Sequence, residues 1–206
     1  MALALLAYPV LISQEAPQTT KTRKPPRPHR SGLWGELGSG AGYVRLGCST
    51  CTEVFDANGG TGYGRIGGVI SDHVLIGFEA FSILDNAFGF SPNDSAATVE
   101  TGIAAIIIMW YPGRRGLFFK GGIGAAFGQF SIPTDSAGTI QADTSLGEGI
   151  GLTFGIGWDI AISRKFAITA NAALFVTALG DVVLASRRVD DLIASTYQAS
   201  VGFTIR

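Results

Sequence analysis

From residue 147 to residue 162 the chain reads Gly-Glu-Gly-Ile-Gly-Leu-Thr-Phe-Gly-Ile-Gly-Trp-Asp-Ile-Ala-Ile. Ile150, Leu152, Phe154, Ile156, Trp158, Ile160 and Ile162 occupy the even positions, and Gly149, Gly151, Thr153, Gly155, Gly157, Asp159 and Ala161 the odd ones. A period of two puts these sets on opposite faces of one β-strand. One face is bulky and apolar; the other is small or polar and ends near a carboxylate. A soluble barrel needs the bulky groups inside, whereas a membrane barrel turns them to lipid and keeps the small and polar ones for its lumen. The strand is built for a bilayer.

The same two-faced pattern recurs. In 116–129, Leu117, Phe119, Ile123, Ala125 and Phe127 oppose Lys120, Gly122, Gly124 and Gly128. In 166–180, Phe166, Ile168, Leu174 and Val176 oppose Thr169, Asn171 and Thr177, and in 192–206 Tyr197, Ala199, Val201, Phe203 and Ile205 oppose Thr196, Gln198, Ser200, Thr204 and Arg206. The stretch 98–111 is apolar on both faces, and 33–44 is rich in glycine, so neither is oriented by its pattern. With 60–70 and 74–84 these segments predict eight strands, most at or above the ~9–11 residues of a tilted membrane strand. Their connections alternate in length. Ser71-Asp72-His73, Pro112-Gly113-Arg114-Arg115 and Ser163-Arg164-Lys165 are tight turns, whereas 45–59, 85–97, 130–146 and 181–191 are long and polar. Short turns on one rim and long loops on the other predict an all-β, eight-stranded antiparallel up-and-down transmembrane barrel.

Aromatic residues sharpen that expectation. Trp34, Trp110, Tyr111, Phe118, Trp158, Phe166 and Phe203 fall near the short-turn rim, where a girdle of rings is expected at the membrane interface. Trp34, beside Glu36, could instead plug the mouth of the lumen. Composition agrees: 47% of residues are hydrophobic and 15% charged, against a typical charged fraction of ~25%. The 29 glycines recur inside apolar segments, where a curved or crowded strand uses them. A net charge of −1 gives no pull toward nucleic acid. No apolar run approaches the ~20 residues of a spanning helix.

The N-terminal part is organised differently. Residues 1–16 begin with the apolar core of a secretory signal peptide, though without a positively charged front, and cleavage is expected near Ala16. Residues 17–31 carry four prolines and five Lys/Arg residues, a disordered basic linker. The barrel is expected to occupy 32–206.

Glu36, Arg65, Glu79 and Lys120 are expected to point into the lumen at comparable depth, with Asp159 lower. Charges in a narrow interior must pair or keep water. They could form a gate or a salt-bridge plug, and an eight-stranded interior just wide enough for side chains favours the plug. Cys48-Ser-Thr-Cys51 could be a redox pair, half a zinc site or a loop disulfide. No second such pair exists, and His29 and His73 lie in the tail and on a short turn, so a loop disulfide in an oxidising exterior is the expectation. Without a histidine on the long-loop side no serine is activated, so neither catalysis nor a metal or cofactor is expected. Asp190, Asp191 and Glu100 read as solvated loop carboxylates.

The opening Gly32-Leu-Trp-Gly-Glu-Leu-Gly-Ser-Gly, the Leu117-Phe-Phe-Lys-Gly-Gly-Ile-Gly strand, residues 151–160 and the closing Tyr197-Gln-Ala-Ser-Val-Gly-Phe-Thr-Ile-Arg resemble the small eight-stranded outer-membrane barrels of the OmpA/OmpX type, the outer membrane protein beta-barrel domain group. The resemblance spans 32–206 and is one of pattern. Such barrels commonly end in an aromatic residue, whereas this chain ends in Arg206 with Phe203 three residues inside. It implies a monomer in the outer membrane of a two-membraned bacterium, with short periplasmic turns and long outer loops. The implied partners are outer-membrane lipid and lipopolysaccharide, the assembly machinery, and an extracellular partner at loops 45–59 and 130–146. The implied role is structural, in envelope integrity, or adhesive. A soluble lipocalin-like barrel holding an apolar ligand is the rival, on the strength of Gly32-Leu-Trp34. It would show water a surface of Gly, Ala and Thr with few charges, unlike natural soluble surfaces.

Overall fold

The computed structural model describes residues 32–48, 55–85, 98–113, 116–136, 139–184 and 187–206. Eight strands run in chain order: β1 (Leu33–Gly47), β2 (Phe55–Ser71), β3 (Val74–Asp85), β4 (Thr98–Trp110), β5 (Leu117–Ser136), β6 (Thr139–Ala161), β7 (Phe166–Leu184) and β8 (Arg187–Ile205). Each pairs antiparallel with the next, and β1 closes on β8. The wall therefore has no open edge within the closed barrel, which satisfies every backbone group without water. The signal-peptide and linker expectations fall on residues 1–31, outside the described residues.

The register fixes the barrel's dimensions. Direct partners run from Glu36 through Arg65, Glu79, Ala105, Gly124, Gly151, Thr177 and Ala194, and return to β1 at Leu46, ten residues beyond the start. With ordinary strand rise and spacing, that stagger sets a tilt of about 40° and a radius of about 8 Å. The interior is thus one layer of side chains from each wall.

Alternation decides what enters it. On β6, Ile150, Leu152, Phe154, Ile156, Trp158 and Ile160 face out, whereas Thr153 and Asp159 are buried. The register also orients β4, which the sequence pattern does not: Ile103, Ala105, Ile107 and Met109 go inside, Ile106, Ile108 and Trp110 outside. On β1, Trp34, Glu36, Val44 and Leu46 are inward and Leu33 and Leu37 outward. Bulky apolar groups outside and charges inside reverse the lipocalin-like alternative.

The outward face has a measurable apolar height. Trp110 and Glu100, Phe119 and Gln129, and Trp158 and Glu148 are each ten residues apart on β4, β5 and β6, and each pair faces outward. No charged residue faces outward between them on these strands. At the barrel's tilt, ten residues rise roughly 25 Å, the height of an outer-membrane apolar band.

The long connections prove shorter than expected. Of the segments 45–59, 130–146 and 181–191, much is strand: β1 continues to Gly47, β2 starts at Phe55, β5 and β6 pair up to Ser136 and Thr139, and β7 and β8 up to Leu184 and Arg187. The reason is physical. Above the apolar band both faces of a strand meet water, so the alternation that marks a strand in sequence disappears while the backbone ladder continues. At the other rim, the β4–β5 turn needs glycine at Gly116. Its φ is +96°, and a Cβ there would sit 2.1 Å from the Asp159 carbonyl oxygen. Asp159 N–H in turn donates to the Gly116 carbonyl at 3.0 Å.

Candidate functional site: the filled lumen and the outer hairpins

Glu36, Arg65 and Glu79 are direct neighbours on β1, β2 and β3. All three point inward, so their contact follows from register alone. Arg65 donates from Nη1 to Glu36 Oε1 at 2.9 Å and from Nε to Glu79 Oε1 at 2.8 Å. Lys120 reaches across from β5 and donates to both Glu79 oxygens at 2.6 and 2.7 Å. The Tyr63 hydroxyl adds a 2.7 Å bond to Glu36 Oε1, and the Arg65 guanidinium lies 4.3 Å above the Tyr63 ring. The charged side chains are all but inaccessible, at 0–1% exposure. Two cations meet two anions, so the cluster is neutral. Each charge is offset by an opposite one at hydrogen-bonding distance, which is the condition for burying ions at all.

Asp159 does not join this group. It accepts from Tyr111 Oη at 3.0 Å, from Thr169 Oγ1 at 2.9 Å and from Arg206 Nη2, forming a second cluster near the short-turn mouth. Thr169 and Thr204 share a further hydrogen bond of 2.7 Å. Trp34, beside Glu36, is buried in the lumen and not part of the girdle.

Tyr111 is a correction to the expected girdle. It is 2% exposed, with its hydroxyl on Asp159 and its ring 5.4 Å from that of Phe118. Alternation explains this: Trp110 takes the outward position, so its neighbour must turn in. Phe118, expected at the same rim, is likewise buried; the other girdle residues face outward, Trp110 stacked on Phe119, Phe166 on Phe203, and Trp158 44% exposed. Tyr43 and Tyr197 form an aromatic pair further toward the long-loop rim, with centroids 6.2 Å apart.

Neutral polar pairs accompany the ion cluster: Asn171 donates to Ser200 at 2.8 Å and Gln198 to Thr61 at 3.1 Å. Phe81 and Phe175 then stack at 3.8 Å, and Val44, Ile83, Ile103 and Leu179 are buried around and beyond them. From the short-turn mouth upward the interior runs from a carboxylate hub, through a neutral ion cluster, to a layer in which Phe, Ile, Val and Leu side chains are mixed with the buried Thr101, Thr177 and Thr196. Tyr63, Tyr111, Asn171, Gln198 and Arg206 were not singled out from the sequence for these contacts. Their parity was the available signal, since Tyr63 lies two residues from Arg65 on the same face.

No group of three or more His, Cys, Asp or Glu side chains assembles into a metal site among the described residues. Cys48 follows β1 directly, and Cys51, hence the expected pair, lies outside the described residues.

The remaining feature lies beyond the apolar band. Among the described residues, β4 accompanies β5 as far as Ser131 and β7 accompanies β6 from Ile150, while the β5–β6 ladder continues to Ser136 and Thr139. Among the described residues a paired hairpin therefore extends beyond the closed wall. β7 and β8 form a second one, bent by register shifts around Gly180, where φ is +65°, and by Asp191 at φ +54°. The Asp191 N–H donates to Asp181 Oδ1 across this bend.

Comparison with solved structures finds the same architecture. The chain is similar to Ail, the attachment invasion locus protein of Yersinia pestis, with a TM-score of 0.56 at 12% identity over 85% of this chain and 99% of that one. It is also similar to Neisserial surface protein A, with a TM-score of 0.53 at 12% identity over 86% and 98% of the two chains. At such identities the likeness is one of fold. No family model and no curated protein matches the sequence.

Proposed function

We propose that this chain, an eight-stranded barrel of outer-membrane type, is a sealed wall element whose working surface is the pair of outer hairpins. The lumen carries nothing; the hairpins hold an extracellular partner. The observation behind this is the contrast between the two ends of the same strands. Within the membrane the interior is packed shut around a neutral ion cluster with no exposed charged side chain. Outside it, the β5–β6 ladder persists where no lipid requires it. Ordered backbone that the bilayer does not demand has to be explained by something outside the bilayer. The attachment role in Ail's name favours the same reading through likeness of fold alone. The rest of the barrel then serves as an anchor among outer-membrane lipids, and its contribution to envelope integrity is that of a closed, non-conducting stave.

The test is a hairpin-shortened variant in which residues 132–147 are replaced by a tight turn. The variant is expected to keep its SDS-resistant, heat-modifiable band and to leave the envelope impermeable to large antibiotics, while bacteria displaying it lose attachment to host-cell or matrix surfaces. If attachment is unchanged and only complete removal of the barrel has an effect, through leakage, the role is structural and the binding reading is wrong. Planar-bilayer recordings of the intact protein should show no discrete conductance steps; regular openings would put the gate reading in its place.

A further inference from the structure

The two outer hairpins part company along one line, between β6 and β7. Their pairing ends at Ile150 and Ala178. Above it, β6 residues 139–149 are laddered to β5 alone, and β7 from Gly180 to Leu184 to β8 alone. Among the described residues no strand fills this notch. Glu148 and Gly149 still lie against β7 at Gly180 and Ala178, so among the described residues the open β6 edge is 139–147, about 25 Å long at ordinary strand rise, with its outward row of N–H and C=O groups unpaired. Natural sheets blunt such edges with proline or lysine. The opposite edge of this same hairpin follows that rule, because β5 beyond Ser131 contains Pro133, which has no N–H to offer. Residues 139–149 contain no proline, lysine or arginine. One edge of the hairpin is blocked and the other is left open. The strands bordering the notch also carry charge of one sign, with Asp143 and Glu148 on β6 and Asp181 on β7.

We propose that the notch between β6 and β7 receives an extended, lysine- or arginine-bearing segment of a partner polypeptide, added as a further strand along the β6 edge. Main-chain hydrogen bonds to 139–147 supply affinity, and the acidic border selects the sign of the partner's charge. The register shifts at Gly180 fit this role, because β6–β7 pairing ends at the same level. The inference rests on the reading that the outer hairpins are the working surface, and it names the mode of binding and the chemistry of the partner.

The experiment uses the whole protein in lipid nanodiscs and a fluorescent twelve-residue peptide alternating lysine with threonine and valine. Two controls are the same peptide N-methylated at alternate residues and a version with glutamate for lysine. The plain peptide is expected to raise anisotropy saturably. N-methylation, which removes one row of ladder donors, should weaken binding by about tenfold or more, and the acidic peptide should bind no better than background. The double variant Asp143→Lys, Glu148→Lys should weaken the basic peptide and admit the acidic one. Equal binding of plain and N-methylated peptides would overturn the proposal, since attraction would then be charge without strand addition. Absence of binding by the plain peptide would overturn it as well. If bacteria nevertheless lose attachment when the hairpin is shortened, the reading of the hairpins as working surface survives and only strand addition is lost. If attachment is also unaffected, both fall.

Discussion

At the scale of single residues, Glu79 is the position on which the lumen turns. It holds Arg65 at 2.8 Å and Lys120 at 2.6 Å, all three being inaccessible to solvent. Glu79→Ala leaves two cations with one anion, Glu36, which only Arg65 already reaches. Removing one partner of a buried ion pair costs about 3–5 kcal/mol, whereas replacing the pair together by apolar groups is often nearly neutral. Glu79→Ala should therefore lower the urea midpoint of the barrel in detergent sharply. Glu79→Leu with Lys120→Met should do so much less, since Arg65 keeps Glu36. A gate would respond differently: Glu79→Ala would open it and bilayer currents would appear without loss of stability. Much of this cluster was legible in the sequence, because inward parity brings Glu36, Arg65, Glu79 and Lys120 to one level. What parity could not supply was that Asp159 belongs elsewhere. Its partners Tyr111, Thr169 and Arg206 come from the end of β4, from β7 and from the end of β8, and only the register says which of them meet.

At the scale of the strand, the point of interest is the seam where β1 meets β8. Gly38 lies opposite Gly202 across that seam and opposite Tyr63 on β2. A Cβ at Gly38 would be 2.4 Å from the Tyr63 ring, and one at Gly202 would be 2.3 Å from its hydroxyl. The two glycines make a slot over which the tyrosine lies, delivering its hydroxyl to Glu36 at 2.7 Å. Gly38→Ala should displace the ring and cost that hydrogen bond together with packing, on the order of 1–3 kcal/mol. Because one slot is involved, adding Tyr63→Leu to Gly38→Ala should cost less than the sum of the two single changes. A urea titration of the four proteins measures this coupling, and strict additivity would dissolve the slot. The element scale is also where the sequence misleads. Periodicity ends β5 near residue 129 and starts β6 near 147, because that is where lipid ends. The strands themselves go on, since a ladder needs only backbone and Thr, Ser and Gln sustain one in water as well as Ile and Phe do in lipid.

For the molecule as a whole, the apolar band is the organising dimension, and it too was readable in advance. Alternation on β6 and the spacing of Trp158 from Glu148 both follow from the chain alone. The orientation of β4 did not, because Ile and Ala occupy both of its faces and only pairing with β3 and β5 decides which enter the lumen. The stagger of ten residues converts those assignments into depth. Ala104 faces outward near the middle of the span between Trp110 and Glu100, whereas Gln129 faces outward at its outer limit. An arginine at the bilayer midplane costs about 2–4 kcal/mol in such barrels and about 0–1 near the interface. Ala104→Arg should accordingly lower the folding free energy in lipid vesicles by the larger amount and Gln129→Arg by little or nothing. Both variants should retain heat-modifiable mobility where they fold. In thicker membranes the two costs should converge, since a hydrocarbon layer taller than about 25 Å draws Gln129 out of the headgroup region. Equal costs at the two sites would mean that depth is misassigned, and with it the tilt from which it was obtained. No penalty at either site would turn the barrel's outer face from lipid to water. In that event the ion cluster at Glu36, Arg65, Glu79 and Lys120 would sit in a soluble core, where the bulky outward rows of Ile, Phe and Trp have no physical explanation.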